Sequence, residues 1–199
     1  MTERMIIPYR FRSIIDADIP TVERWLKTPE VARWWGDPAE QLVLLKEDLD
    51  DPLMRQWIVE YGQRPFAYVQ AYEAHAWPQV HLQGLPGGTQ VIDAFIGELD
   101  MLGRGHGSAF LRLLASSFIR EGAPLVAIDP DAGNLRARRA FARAGFAEDA
   151  FVEAKQGVVV LMVFGGTRPN RAIARFGRFR QGARTKATIE LWHLIKSLR

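Results

Sequence analysis

A chain of 199 residues with 48% hydrophobic and 25% charged residues can bury one core in water. No apolar run approaches the ~20 residues needed to cross a bilayer, so no transmembrane helix is expected, and with no cysteine, disulfides, thiolate nucleophiles and cysteine metal ligands are excluded. The net charge of +3 is unevenly placed: residues 1–166 hold 17 Lys/Arg against 22 Asp/Glu, a net of −5, whereas residues 167–199 hold 9 basic residues against Glu190 alone, a net of +8. A mildly acidic body favours a cationic ligand by long-range steering. The basic total belongs to an appendage and gives little reason to expect a nucleic-acid partner. The first residues carry charge but lack the apolar stretch of a secretory signal, which predicts a cytoplasmic protein.

In chain order, Tyr9–Arg12 predicts a strand, followed by a helix that repeats Ile19, Val22, Trp25 and Leu26 on one face, with Asp16 and Asp18 as candidate caps. Asp37-Pro38-Ala39-Glu40 signals another helix start through a capping acid and a proline at the first helical position, and the helix runs to Asp51-Pro52. Gln56–Tyr61 and Phe66–Tyr72 predict a hairpin turning through Gly62-Gln63-Arg64-Pro65. His75–Gly88 reads as a loop. Gln90–Glu98 is the next strand, and the glycine-rich turn Gly103–Gly107 opens an apolar helix to about Ile119. Pro124–Ile128 predicts a short buried strand, Asn134–Ala144 a helix closed by Gly145, and Phe151–Lys155 with Val158–Phe164 a final strand pair. Antiparallel strands first and strand–helix alternation later predict an α/β (α+β) architecture, a mixed central sheet with helices on both faces. The domain is expected to span 1–166. A basic extension over 167–199 is expected to be partly disordered, with a terminal helix that either docks on the body or lies on a membrane surface.

The sharpest local motif is Leu102-Gly103-Arg104-Gly105-His106-Gly107-Ser108, placed between strand and helix. Small residues there let backbone N–H groups approach an anion, and the helix dipole adds positive potential. A tight glycine turn without a ligand is the competing reading. Ser108 stands where a dinucleotide fingerprint needs its third glycine, and no Gly-Lys-Ser/Thr follows for a P-loop. Downstream lies Asn134-Leu-Arg-Ala-Arg-Arg-Ala-Phe-Ala-Arg-Ala-Gly-Phe146.

These two motifs, in this order and spacing, resemble the GNAT acetyltransferases, whose signatures are Gln/Arg-x-x-Gly-x-Gly/Ala and Asn-x-x-Ala-x-x-x-Tyr-x-x-x-Gly-Phe. Leu102 replaces the usual first residue of the former, a leucine also found in aminoglycoside 6'-N-acetyltransferases, and Phe141 replaces the tyrosine of the latter. The resemblance implies a sheet splayed at the acyl-CoA site and acetyl-CoA as cosubstrate. It implies that pantetheine pairs with Phe95, Ile96 and Gly97, that the diphosphate lies on Gly103, Arg104, Gly105, His106, Gly107 and Ser108, and that Asn134 and Arg138 complete the cofactor site.

Further segments resemble the aminoglycoside-acetylating branch: Val31–Gly36, Val91-Ile92-Asp93 and Ile128-Asp129-Pro130. Asp93 interrupts an apolar strand, where an ionised carboxylate is costly unless paired or solvated in a cleft. It is the candidate acid–base, with a loop-pinning carboxylate as the alternative. Asp129 is assigned to an acceptor ammonium, with helix capping as its alternative. Trp34 and Trp35 would pack on sugar rings or simply fill the core, and Glu73 would add negative charge. The acceptor implied is a small cationic amine, aminoglycoside-like; a siderophore-type hydroxylamine acceptor and a non-catalytic CoA-binding protein are the alternatives, and monomer and homodimer are both open. The four histidines show no His-Glu-x-x-His pair or close metal spacing, so no metal is expected.

Overall fold

The computed structural model describes residues 8–77, 79–154 and 157–165; the extension assigned to 167–199 lies outside the described residues. The elements are β1 (Tyr9–Ser13), α1 (Ile19–Leu26), α2 (Pro29–Trp35), α3 (Pro38–Glu47), β2 (Arg55–Tyr61), β3 (Arg64–Glu73), β4 (Gln90–Ile96), α4 (His106–Arg120), β5 (Val126–Ile128), α5 (Leu135–Ala144), β6 (Ala147–Ala154) and β7 (Gly157–Phe164). The strands form one sheet in the order β1-β2-β3-β4-β5-β7-β6. All neighbours are antiparallel except β4 and β5.

Local chemistry explains the boundaries. The Asp37 side chain accepts from the N–H groups of Ala39 and Glu40 and so caps α3. Gly145, in the left-handed region at φ 107°, ends α5. The hairpin is tighter than its sequence predicts. Gly62 and Gln63 both take positive φ, 55° and 67°, which makes a two-residue turn whose twist matches the strands and leaves Arg64 and Pro65 inside β3. The tryptophan pair closes a separate helix, α2, which the sequence reading does not resolve.

Strand alternation divides the core in two. One sheet face, carrying Val69, Ala71, Ile92, Val126 and Met162, packs under α4 and α5. The other face is covered in two halves. At one end Ile58, Tyr68 and Phe95, cross-strand neighbours, pack with Val22, Trp25 and Leu26 of α1. At the other, Tyr72, Val91, Ala127 and Val163 pack with Leu82 and Leu85 from the loop after β3. Each fully buried aliphatic or aromatic side chain in these clusters contributes roughly 1.5–3 kcal/mol.

Trp25, fully buried, lies directly on the backbone at Gly97: a Cβ there would sit 2.0 Å from Trp25 Cγ. Gly97→Ala should therefore lower stability by about 3 kcal/mol through overpacking, read as a drop in thermal midpoint; an unchanged midpoint would disprove this packing.

Candidate active site

β4 and β5 touch only briefly. Gln90 pairs with Val126 and Val91 with Ala127, and beyond that point the strands part. Peptide groups alternate sides along a strand. The N–H of Gly97 donates to Phe66 O at 2.8 Å and that of Gln90 to Leu125 O at 3.1 Å, so odd-numbered residues of β4 face β3 and even-numbered ones face the gap. Ala94 and Ile96 therefore offer peptide groups to the opening. Of the three residues expected to pair with the pantetheine arm, Ile96 faces its peptide group to the gap, whereas Phe95 and Gly97 turn theirs to β3.

At one end of the gap lies the N-terminus of α4. Gly103 and Gly105 adopt φ of 74° and 86°, the left-handed region in which a side chain is strained, and Gly105 is the cap residue. Ala109 N–H is bonded to Gly105 O, so the N–H groups of His106, Gly107 and Ser108 precede the first intrahelical bond. A helix start of this kind suits phosphate oxygens. The His106 side chain goes elsewhere: Nδ1 shares a 2.8 Å hydrogen bond with the Tyr9 hydroxyl and the ring packs on Tyr61 and Phe66. Burial and the neighbouring Arg104 charge hold its pKa down. Arg104 itself is exposed.

Asn134 caps α5, its Oδ1 accepting from Ala137 N–H, which leaves the Nδ2 donors for other use. Arg138 is held by Glu148 and the Ala132 carbonyl and lies over Phe151, so its charge is already engaged. Phe141 is buried with Phe146 and brings no hydroxyl to the site.

The acids flank the gap symmetrically. Val91 and Ala127 are the last paired residues, and Asp93 and Asp129 each lie two positions further on, hence on the same sheet face. That face is apolar on either side: Phe95 and Tyr68 belong to one cluster, Val91 and Tyr72 to the other, and Asp93 falls between them. A polar row, Gln56–Gln70–Asp93, crosses the strands there. The Tyr68 hydroxyl donates to Gln70 Oε1 at 2.8 Å, which fixes the amide so that Nε2 donates to Asp93 Oδ2 at 3.0 Å. Burial and then the negative charge of Asp129 raise the Asp93 carboxyl to about 7, against the opposing pull of the Gln70 amide and His81. Tyr72, raised by burial and both acids, remains a neutral phenol.

Asp129 does not cap α5; His81 Nε2 donates to its Oδ2 at 2.8 Å. Trp35 stands at the wall of this cleft, its ring 4.7 Å from Phe95 and 5.9 Å from Tyr68, whereas Trp34 lies under the guanidinium of Arg33. Glu73 is excluded from the acidic cleft. It sits on the opposite sheet face by alternation and accepts from Gly88 N–H, closing the loop after β3. Gln70, Tyr68 and Tyr72 were missed from sequence although their in-phase positions opposite Asp93 carried a signal, polar atoms on a strand buried along its length. His81 had no such signal, since it arrives on an irregular loop.

Among the described residues no cluster suited to a metal ion is found, and no helix is long and apolar enough to cross a membrane. Cavities of about 320 and 300 Å³ lie elsewhere, by Arg55 and Glu121 and by Asp48 and Trp57. A sheet parted beside a glycine-led helix start, with a raised carboxyl across the opening, is the architecture of an acyltransferase that holds its donor along a strand edge. Residues 14–154 match the model described as Acetyltransferase (GNAT) domain, and the chain belongs to that family of acetyl-CoA-dependent N-acetyltransferases.

The relatives agree. An aminoglycoside N(6')-acetyltransferase type 1 of Serratia marcescens is 25% identical over 181 residues, covering 84% of this chain and 86% of its own length. One of Klebsiella pneumoniae is 26% identical over 165 residues, covering 76% and 80%. The crystal structure of the aminoglycoside acetyltransferase AAC(6')-Ib with coenzyme A and kanamycin is similar at TM-score 0.71 and 25% identity, over 79% of this chain and 94% of that one.

Linkage gives this site a measurable signature. The Asp93 carboxyl titrates near 3.8 when free and near 7 when folded, so between those values the folded state binds more protons and stability falls as pH rises, levelling above about 7. Asp93→Asn should remove that slope and stabilise the protein at pH 8, with little gain at pH 4; equal denaturation midpoints for both proteins at pH 8 would refute the raised carboxyl.

Proposed function

We propose that this chain is a cytoplasmic enzyme that moves an acetyl group from acetyl-CoA to a primary amine of a cationic, aminoglycoside-type acceptor. The reading is carried by Asp93, a carboxyl raised to about 7 by burial and by Asp129 at the edge of the parted strands. A base with a pKa near the working pH is partly ionised and still basic enough to take a proton from an ammonium. The two relatives named above, both aminoglycoside N(6')-acetyltransferases, support the acceptor class.

The steps follow from the site. Peptide groups of Ala94 and Ile96 pair with the pantetheine arm, the N–H groups from Arg104 to Ser108 hold the diphosphate, and Asn134 Nδ2 donates to the arm. Asp93 removes a proton from the acceptor ammonium, directly or through water. The free amine attacks the thioester carbonyl, a backbone N–H of β4 meets the oxyanion, the attacking nitrogen gives its second proton to solvent, and the C–S bond breaks as the amide forms. Phe141 has no proton to give, so solvent protonates the departing thiolate. Acylation removes one positive charge from the acceptor.

The experiment is acetyl-CoA-dependent thiol release with a kanamycin-type acceptor. kcat/KM should rise with pH to a plateau above about 7, as Asp93 ionises, and Asp93→Asn should lower it about 10²- to 10⁴-fold. Absence of acceptor-dependent release by the wild type retires the aminoglycoside reading. Full activity in Asp93→Asn retires the base.

A further inference from the structure

The loop between β3 and β4 brings His81 to the gap on a fixed backbone. Leu82 and Leu85 are buried in the cluster beneath it, Gln79 Nε2 donates to the Tyr72 hydroxyl, and Glu73 receives Gly88 N–H at the far end. The ring is therefore delivered by anchored chain. His81 and Asp129 side chains are only 11% and 17% exposed where they meet at 2.8 Å. Around them stand Asp93 on β4 and the Tyr72 phenol on β3, both close enough for charge coupling.

The two acids of the cleft are thus partnered differently. Asp93 receives a neutral amide donor from Gln70, which supports its carboxylate without cancelling its charge. Asp129 receives an imidazole N–H delivered by the loop after β3. An incoming ammonium needs acceptor oxygens and an uncompensated negative charge to offset its desolvation. Each acid has one oxygen occupied, Oδ2 of Asp93 by the Gln70 amide and Oδ2 of Asp129 by the His81 ring, so an ammonium that reaches Asp129 must share its carboxylate with an imidazole N–H fixed by the loop.

We propose that His81 is a built-in occupant of the acceptor site, its ring N–H filling on Asp129 the place of a substrate ammonium, so that the enzyme disfavours acceptors carrying a second ammonium within reach of Asp129. This inference rests on the amine-acceptor reading above and narrows it. Acceptors whose further charges lie away from the reacting amine are selected. The discrimination acts through Asp129, and His81 takes no part in the bond-making steps.

The test is calorimetric titration of the coenzyme A-loaded full chain with 1,4-diaminobutane and with butylamine. His81→Ala should bind the diamine about tenfold more tightly than wild type, equivalent to ~1.4 kcal/mol, with the monoamine unchanged. The gain should vanish when Asp129→Asn is added, because the two effects meet in one carboxylate. His81→Gln, which keeps an N–H donor, should stay near wild type. If His81→Ala does not fold, Asp129→Asn alone decides: it should weaken diamine and monoamine equally. Equal diamine affinity in wild type and His81→Ala, a gain that survives Asp129→Asn, a loss in Asp129→Asn confined to the diamine, or no binding of either amine overturns the proposal. Thiol release is scored separately. Binding selectivity without turnover would sink the acetyl-transfer reading alone, and turnover without selectivity would sink the role of His81 alone.

Discussion

The parting of β4 from β5 is the constraint on which the site depends. Two parallel strands that stayed paired would spend the peptide groups of Ala94 and Ile96 on each other and would close the sheet over the position of a bound arm. Pairing stops after Val91 and Ala127, and a short β5, only Val126–Ile128, turns away through Pro130 toward α5. Unpaired strand edges are ordinarily an aggregation liability. Here Ala94 and Ile96 on that edge are half-buried, with Ile96 against the first turn of α4 at Gly107, and the proposed occupant of the edge is the pantetheine arm.

The apolar clusters decide what else can enter. Face alternation puts Asp93 in the seam between the cluster under α1 and the cluster under the β3–β4 loop, so its carboxyl is desolvated without being sealed. Tyr68 and Gln70 then act in series, the phenol orienting the amide and the amide supporting the carboxylate. A buried polar chain satisfied at each link holds its geometry firmly. The rigid packing of Trp25 against Gly97 fixes the end of the same strand, where Glu98 takes hydrogen bonds from Trp25 and Arg24 and a salt bridge from Arg64.

Much of this was legible in the residues. The turn before α4 needed glycines at Gly103 and Gly105 because the chain there takes positive φ, and Asp93 stood out as a charge inside an apolar strand. Asn134 and Gly145 marked the two ends of α5 by their capping chemistry. Charge alone did not give direction: Glu73, an acid on a neighbouring strand, faces the other side of the sheet, and Arg138, a cation beside a cofactor motif, is paired with Glu148.

The sequence by itself determined the strand order, most of the helices, the glycine turn proposed to hold the diphosphate and the carboxylate proposed as base, because each is written in short-range terms of φ, capping and alternation. Only the tertiary structure decided which peptide groups face the gap, that Gln70 and Tyr68 serve Asp93, and that His81 occupies Asp129. Those relations depend on strand register and on the path of an irregular loop, and neither leaves a periodic trace in the residues that make it.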